Sequence, residues 1–301
     1  MAAPRRPRLL ALALLAWKGC CSAGSHPFAP RSSTPLVGIF PTVPDPEYLA
    51  GYQKWVEQFG VRTVVLPAEG DADDVFSKRW PLPSSPGSNS TDRWARLNGM
   101  LIPGGGGNVS ALARGLLLRA VKANSEGEYW PVWGTCLGFE WIVQVFGGDA
   151  ALQSGFDAVD ERMDISLTQV SERRRMLAFA NISVLRWLTH DNVTYEDHVD
   201  GIEPERFMQS PGLTAEFDIL ATSSDRTGRP YVAMIQGKRL PFYAVQFHPE
   251  KIRYVENGRY QHNIPKSDEA RCVADDLAEF FASELQKGAA MGSSHENAVV
   301  V

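Results

Sequence analysis

Pro131 to Glu140, Pro-Val-Trp-Gly-Thr-Cys-Leu-Gly-Phe-Glu, constrains the fold more than any other stretch of the chain. The apolar run from Tyr129 to Trp133 predicts a buried strand, and Leu137, Phe139, Trp141, Ile142, Val145 and Phe146 predict a helix directly after it. Between them, Gly134-Thr-Cys136-Leu-Gly138 reads as a nucleophile elbow with cysteine in the usual place of serine. Its glycines remove the Cβ atoms that would collide in so sharp a turn. The positive end of the following helix dipole would favour a thiolate on Cys136, the nucleophilic form. A lone cysteine is ordinarily a small buried hydrophobe. The two glycines, the strand before and the helix after argue for a nucleophile instead.

The stretches around the elbow set its context. Leu36–Phe40, Val61–Leu66 and Leu97–Ile102 read as three further strands. Helical spacing recurs in Tyr48, Tyr52, Trp55 and Phe59, with Gly60 as a stop, and again over Ala111–Val121. Alternating strands and helices predict an α/β fold: a central, mostly parallel sheet with helices on both faces and its site at the carboxyl ends of the strands. Asp71, Asp73 and Asp74 suit a solvated turn or helix start, since their spacing matches no calcium loop. No cysteine–histidine spacing suits zinc, and chemistry carried by a cysteine nucleophile needs neither a metal nor an organic cofactor.

The run Pro103-Gly-Gly-Gly-Gly107 lacks the Lys-Ser/Thr of a phosphate-binding loop. Beside a nucleophilic cysteine it has another use. Attack on a carbonyl creates an oxyanion, which needs unobstructed backbone N–H donors. The N–H of Leu137 and one from Gly104 or Gly105 are the candidates. A base must also take the thiol proton, and histidine suits because its pKa lies near neutrality. Among six histidines, His248 follows the apolar strand Phe242–Phe247, and Glu250 two residues on could hold its far ring nitrogen as a triad's third member. His198, in Glu196-Asp-His, is the next candidate, for a substrate pocket or the surface. Phe217–Thr222 and Tyr231–Ile235 read as strands, the latter joined to Phe242–Phe247 through Gly237-Lys-Arg239 as a hairpin. Residues 150–215 give no topology, and Arg173–Arg175 reads as a solvated face.

Arg5, Arg6 and Arg8, the apolar run Leu9–Trp17 and Cys21-Ser-Ala23 have the form of a secretory signal peptide, too short to be a membrane anchor. The expected organisation is a signal peptide over 1–23, a flexible leader over 24–34, one domain over 35–287, whose last helix begins near Ser267, and a loose tail over 288–301. Sequons at Asn89, Asn108, Asn181 and Asn192 fit a glycosylated protein that is secreted or sent to a lysosome or vacuole. Asn108, beside the glycine loop, is the least suited of them. Cys20 and Cys21 would leave with the signal, so Cys136 and Cys272 are expected to stay reduced, Cys272 as a structural residue at the edge of the core face of the last helix. A formal charge of −5 gives no reason to expect nucleic acid or an anionic membrane as partner.

Taken together, Gly-Thr-Cys136-Leu-Gly, the Pro-Gly-Gly loop one strand earlier and His248-Pro-Glu250 resemble the class I glutamine amidotransferase fold. Within it, Pro131–Glu140, Tyr243–Lys251 and Leu277–Phe281 are most similar to gamma-glutamyl hydrolases. Glu140 stands where amidotransferases usually have glutamine and these hydrolases glutamate. The resemblance implies a cysteine peptidase with Cys136 as nucleophile and His248 as proton donor, acting on poly-gamma-glutamylated folates through a thioester. It also implies Glu140 and His198 as substrate-site residues, although His198-Val-Asp-Gly-Ile202 departs from the family pattern. The loop from Phe40 to Tyr48 is shorter than is usual in that family. A homodimer is left open. The competing readings are a glutaminase-like hydrolase and an inactive glycoprotein that binds folates or gamma-glutamyl peptides.

Overall fold

The computed structural model describes residues 34–81, 94–170 and 174–298. The expected signal peptide, all but the last residue of the expected leader, Asn89 and Arg173 lie outside them. The first elements alternate as expected: β1 (Leu36–Ile39), α1 (Pro46–Glu57), β2 (Arg62–Val65), α2 (Ala72–Ser77), the short β3 (Trp80–Pro81) and β4 (Trp94–Ala95), β5 (Gly99–Ile102), α3 (Ala111–Ser125), β6 (Val132–Thr135) and α4 (Leu137–Gly147). The helix starts are written in side chains. Asp45 accepts the N–H of Glu47 ahead of Pro46, and Asp71 accepts those of Asp73 and Asp74.

The unread middle forms β7 (Gln153–Met163), β8 (Ser166–Leu167), α5 (Arg175–Phe179), α6 (Ile182–His190), β9 (Thr194–Gly201), α7 (Pro204–Met208) and α8 (Pro211–Glu216). β7 and β9 pair with each other as an antiparallel ribbon, apart from the main sheet. Then come β10 (Phe217–Ser224), β11 (Pro230–Gly237), β12 (Phe242–Val245), α9 (Pro249–Tyr254) and α10 (Asp268–Ala298).

The main sheet has eight strands in the order β2-β1-β5-β6-β12-β11-β10-β8. Its first five run parallel, and β11, β10 and β8 continue it antiparallel. Alternate strand residues feed two cores. Ile39, Leu101, Trp133, Tyr243 and Val245 pack under α1, α6, α9 and α10. Leu36, Met100, Ile102, Val132 and Ala244 pack under α3, α4, α7 and α8. Burial on both faces is why these strands read as continuous apolar runs. Trp133 lies between Trp55 of α1 and Phe281 of α10, with ring centres 5.2 and 5.6 Å away. Truncating it to alanine would cost about 3–5 kcal/mol.

Two expectations need correction. The tail does not begin at Gly288: α10 continues to Ala298. Gly288 is a packing residue, because a Cβ there would come 2.6 Å from the Tyr129 carbonyl oxygen. Nor do the arginines form a simple solvated face. Arg174 pairs with Asp218, and Arg175 donates to Tyr129 Oη and Glu284. No helix among the described residues is long and apolar enough to cross a membrane.

Candidate active site

β6 and β12 are adjacent and parallel, with Thr135 opposite Val245. Whatever follows each strand therefore emerges at the same edge of the sheet. After Thr135 comes Cys136, and after Val245 come Gln246, Phe247 and His248. The site is a consequence of this register.

Cys136 has φ 49° and ψ −104°, a left-handed conformation that non-glycine residues avoid. The turn is locked on both sides. A Cβ on Gly134 would come 2.7 Å from the Gly138 backbone, and one on Gly138 2.2 Å from the Ile102 carbonyl oxygen. Cys136 N–H donates to Val245 O (2.9 Å), and Gly138 N–H to Pro103 O (3.1 Å). The second bond ties the elbow to the glycine loop. Gly104 occupies the space beside His248, where a Cβ would lie 2.6 Å from the ring Cε1. Its N–H donates to Tyr52 Oη (2.9 Å), so it is already committed. That removes Gly104 from the oxyanion donors named from sequence and leaves Gly105 and Leu137. The loop after β1 packs on the same turn, with Thr42 Oγ1 donating to the Gly104 carbonyl.

His248 and Glu250 are both 2 % exposed. His248 Nδ1 lies 2.8 Å from Glu250 Oε1 and 3.4 Å from Tyr52 Oη. A carboxylate only accepts, so Nδ1 carries the proton and Nε2 keeps its lone pair for proton exchange. His248 N–H donates to Tyr195 O of β9. Tyr48 and Tyr52, whose hydroxyls are 3.3 Å apart, have their pKa values raised by burial and then by the charge of Glu250, and both remain protonated donors.

The sulfur of Cys136 is subject to opposing influences. Burial pushes the Cys136 thiol well above its ordinary range, Glu140 pushes the same way and Lys251 opposes them. Burial thus works against the helix dipole at the sulfur, and a neighbouring base would assist deprotonation. Cys136 and Cys272 form no disulfide.

A second buried polar group lies close by. Glu140 Oε1 accepts from Gln246 Nε2 (2.9 Å), and burial raises its pKa from the usual 4.5 to about 7. His198 Nδ1 donates to Asp200 O (2.8 Å), while its Nε2 stands 3.4 Å from Glu196 Oε2. That contact is an ion-pair distance without hydrogen-bond alignment, since neither atom has a hydrogen-bond partner. Burial lowers the His198 pKa, but the adjacent Glu196 carboxylate and the charge of Glu140 outweigh it, so it ends above the ordinary value.

The structure thus brings Cys136, Leu137, Gly104, Gly105, His248 and Glu250 to one strand edge and sets Glu140 and His198 together beside it. Asn108, Asn181 and Asn192 are exposed, and Asn181 also caps α6. Sequence reasoning missed Tyr52, read only as part of a helix face, and Lys251 and Asp197. Lys251 directly follows His248-Pro-Glu, which was the available signal. No group of three or more metal-ligating side chains occurs among the described residues.

A family model described as glutamine amidotransferase class-I matches residues 56–264. Gamma-glutamyl hydrolase of Mus musculus is 28% identical over 93% of this chain and 86% of its own. Gamma-glutamyl hydrolase of Bos taurus is 29% identical over 94% and 88%, and gamma-glutamyl hydrolase B of Dictyostelium discoideum 27% identical over 85% and 73%. A solved structure from Thermoplasma acidophilum, described as a subunit of GMP synthase, aligns with a TM-score of 0.50 at 17% identity, covering 87% of this chain and 100% of its own.

Proposed function

The chain belongs to the class-I glutamine amidotransferase family, and from that premise we propose that it hydrolyses gamma-glutamyl bonds, with poly-gamma-glutamylated folates as substrates. One observation carries this reading: a cysteine strained at φ 49° heads α4, and a buried His248–Glu250 pair follows the neighbouring parallel strand. The names of the relatives support the bond type.

In this mechanism His248 Nε2 takes the proton of Cys136 as the sulfur attacks the gamma-carbonyl carbon. Charge develops on the carbonyl oxygen and is met by the N–H groups of Gly105 and Leu137. The tetrahedral intermediate collapses with cleavage of the C–N bond. His248 returns its proton to the departing amine, leaving a thioester on Cys136. Water, deprotonated by the same ring, releases the acyl product and the thiol. Glu250 fixes the ring and stabilises its charged form. Glu140 and His198 receive the gamma-glutamyl residue. We also propose a secretory route, with sugar on the exposed Asn181 and Asn192.

The test is hydrolysis of a pteroyl-poly-gamma-glutamate by purified protein beside Cys136→Ala and His248→Ala. Turnover by the wild type and its collapse in both variants is expected, and product lengths distinguish endo- from exo-cleavage. No wild-type turnover at mildly acidic or neutral pH would overturn the substrate. Ammonia release from free glutamine would then identify a glutaminase.

A further inference from the structure

The Cys136 sulfur sits in surroundings of the wrong sign for its task. Its attack requires a negative charge, yet carboxylates bear on it from three elements: Glu140 of α4, Asp197 of β9 and Glu250 of α9. His248, which caps α9, the phenols of Tyr48 and Tyr52 of α1 and Tyr195 of β9 also lie around it. Lys251, also on α9, is the cation opposing those carboxylates. Its side chain is 5% exposed, and Nζ donates to Asp197 Oδ2 at 2.8 Å. Gln261 Nε2 donates to the same oxygen at 3.1 Å. The main-chain carbonyl of Asp197 in turn accepts a contact from Cys136 Sγ at 4.0 Å. One residue thus touches the sulfur through its backbone and the buried ammonium through its side chain.

Such a pair is unlike a surface ion pair, where solvent leaves little net effect. Burial acts to raise the Asp197 pKa, but the charge and hydrogen bond of Lys251 outweigh it and hold the carboxyl below its ordinary range.

We propose that the Lys251–Asp197 pair is a positioning and charge-balancing element for the nucleophile, in which Lys251 fixes the strand carbonyl against Cys136 and offsets the negative charge the sulfur acquires. The proposal rests on Cys136 being the nucleophile. It deepens the reaction described above by naming what makes deprotonation feasible in a carboxylate-rich pocket.

The test reads the thiol directly and needs no substrate, so failure of the folate reading, seen as absent wild-type turnover, is a separate result. Iodoacetamide labelling of the Cys136 peptide is followed by mass spectrometry as a function of pH, with circular dichroism as the check on folding. Lys251→Met leaves Asp197 unpaired and moves the labelling midpoint up by about one pH unit. Asp197→Asn leaves Lys251 unbalanced and moves it down by about as much. Lys251→Arg retains the charge and stays within about half a unit of wild type. A purely structural pair would not give shifts of opposite sign. Midpoints that do not move, that move the same way in the Met and Asn variants, or that shift as far for arginine as for methionine would overturn the proposal. Where Lys251→Met does not fold, Asp197→Asn decides: a downward shift supports it, and an unchanged or raised midpoint overturns it.

Discussion

Glu284 and Glu250 are both buried glutamates on helices that cover the same face of the sheet, yet their surroundings are opposites. Glu284, near the amino ends of β6 and β12, accepts from Tyr129, Tyr243, Arg175 and Lys287. Burial works to raise its pKa, but the hydrogen bonds from Lys287, Tyr129 and Tyr243 and the charge of Arg175 hold it below the ordinary value. Glu250, at the carboxyl ends, has His248 on one oxygen and no partner on the other. Glu140, paired with Gln246 at the same end of the sheet, has one donor and a raised pKa. Saturation marks a carboxylate that holds the fold together. Spare acceptor capacity marks one kept for chemistry, because an unmet buried acceptor costs stability unless something later uses it.

Substitutions can break this contrast. The largest effect belongs to the reactive end: Cys136→Ala and His248→Ala should each lower kcat by about 10³-fold or more with an unchanged circular dichroism spectrum. At the saturated end, Glu284→Ala should lower unfolding free energy by about 3 kcal/mol in urea denaturation, because it strands several donors. Its kcat per folded molecule should stay within about twofold of wild type. A large loss of turnover there would erase the distinction.

Glu140 sharpens the comparison through pH. Its folded pKa of about 7 exceeds the ordinary 4.5, so the folded state binds the proton more tightly. Wild-type stability should therefore fall as pH rises from about 4.5 to about 7 and then level off. Glu140→Gln lacks this dependence, and its stability relative to wild type should rise across that window by up to about 3 kcal/mol, read from denaturation midpoints. Asp276, also raised to about 7, contributes equally to both proteins and cancels. A flat difference would mean that Glu140 is not held in its neutral form.

Smaller still, Glu250→Gln should reduce kcat by about ten- to a hundredfold with less than about 1 kcal/mol change in stability, the inverse of Glu284→Ala.

The same contrast explains what was legible in the sequence. The elbow and the parallel strands announce themselves through apolar runs and glycines, because both faces of each strand must be apolar and the turn tolerates no Cβ. His248 and Glu250 were found because they follow directly on such a run. The β7–β9 ribbon gave no signal. β7 is largely exposed, with register breaks and a left-handed Asp160. β9 buries Thr194, Glu196 and His198 where a pattern search expects hydrophobes. Its polar residues meet partners distant in sequence, and a linear reading cannot see them. Gly288 misled for a related reason: its role is set by the Tyr129 carbonyl of another element, while a glycine near a helix end conventionally signals a stop.

The place of β12 has a consequence for biosynthesis. It is the last strand of the main sheet to be made, yet it lies in the middle, joining the parallel strands to the antiparallel ones. Until the ribosome has delivered Phe242–Val245, the nascent sheet is two separate pieces with bare hydrogen-bonding edges along β6 and β11. A stalled or prematurely terminated product would carry the thiol without its base and would be sticky as well as inert. Termination anywhere before Phe242 should therefore be as damaging as termination early in the chain.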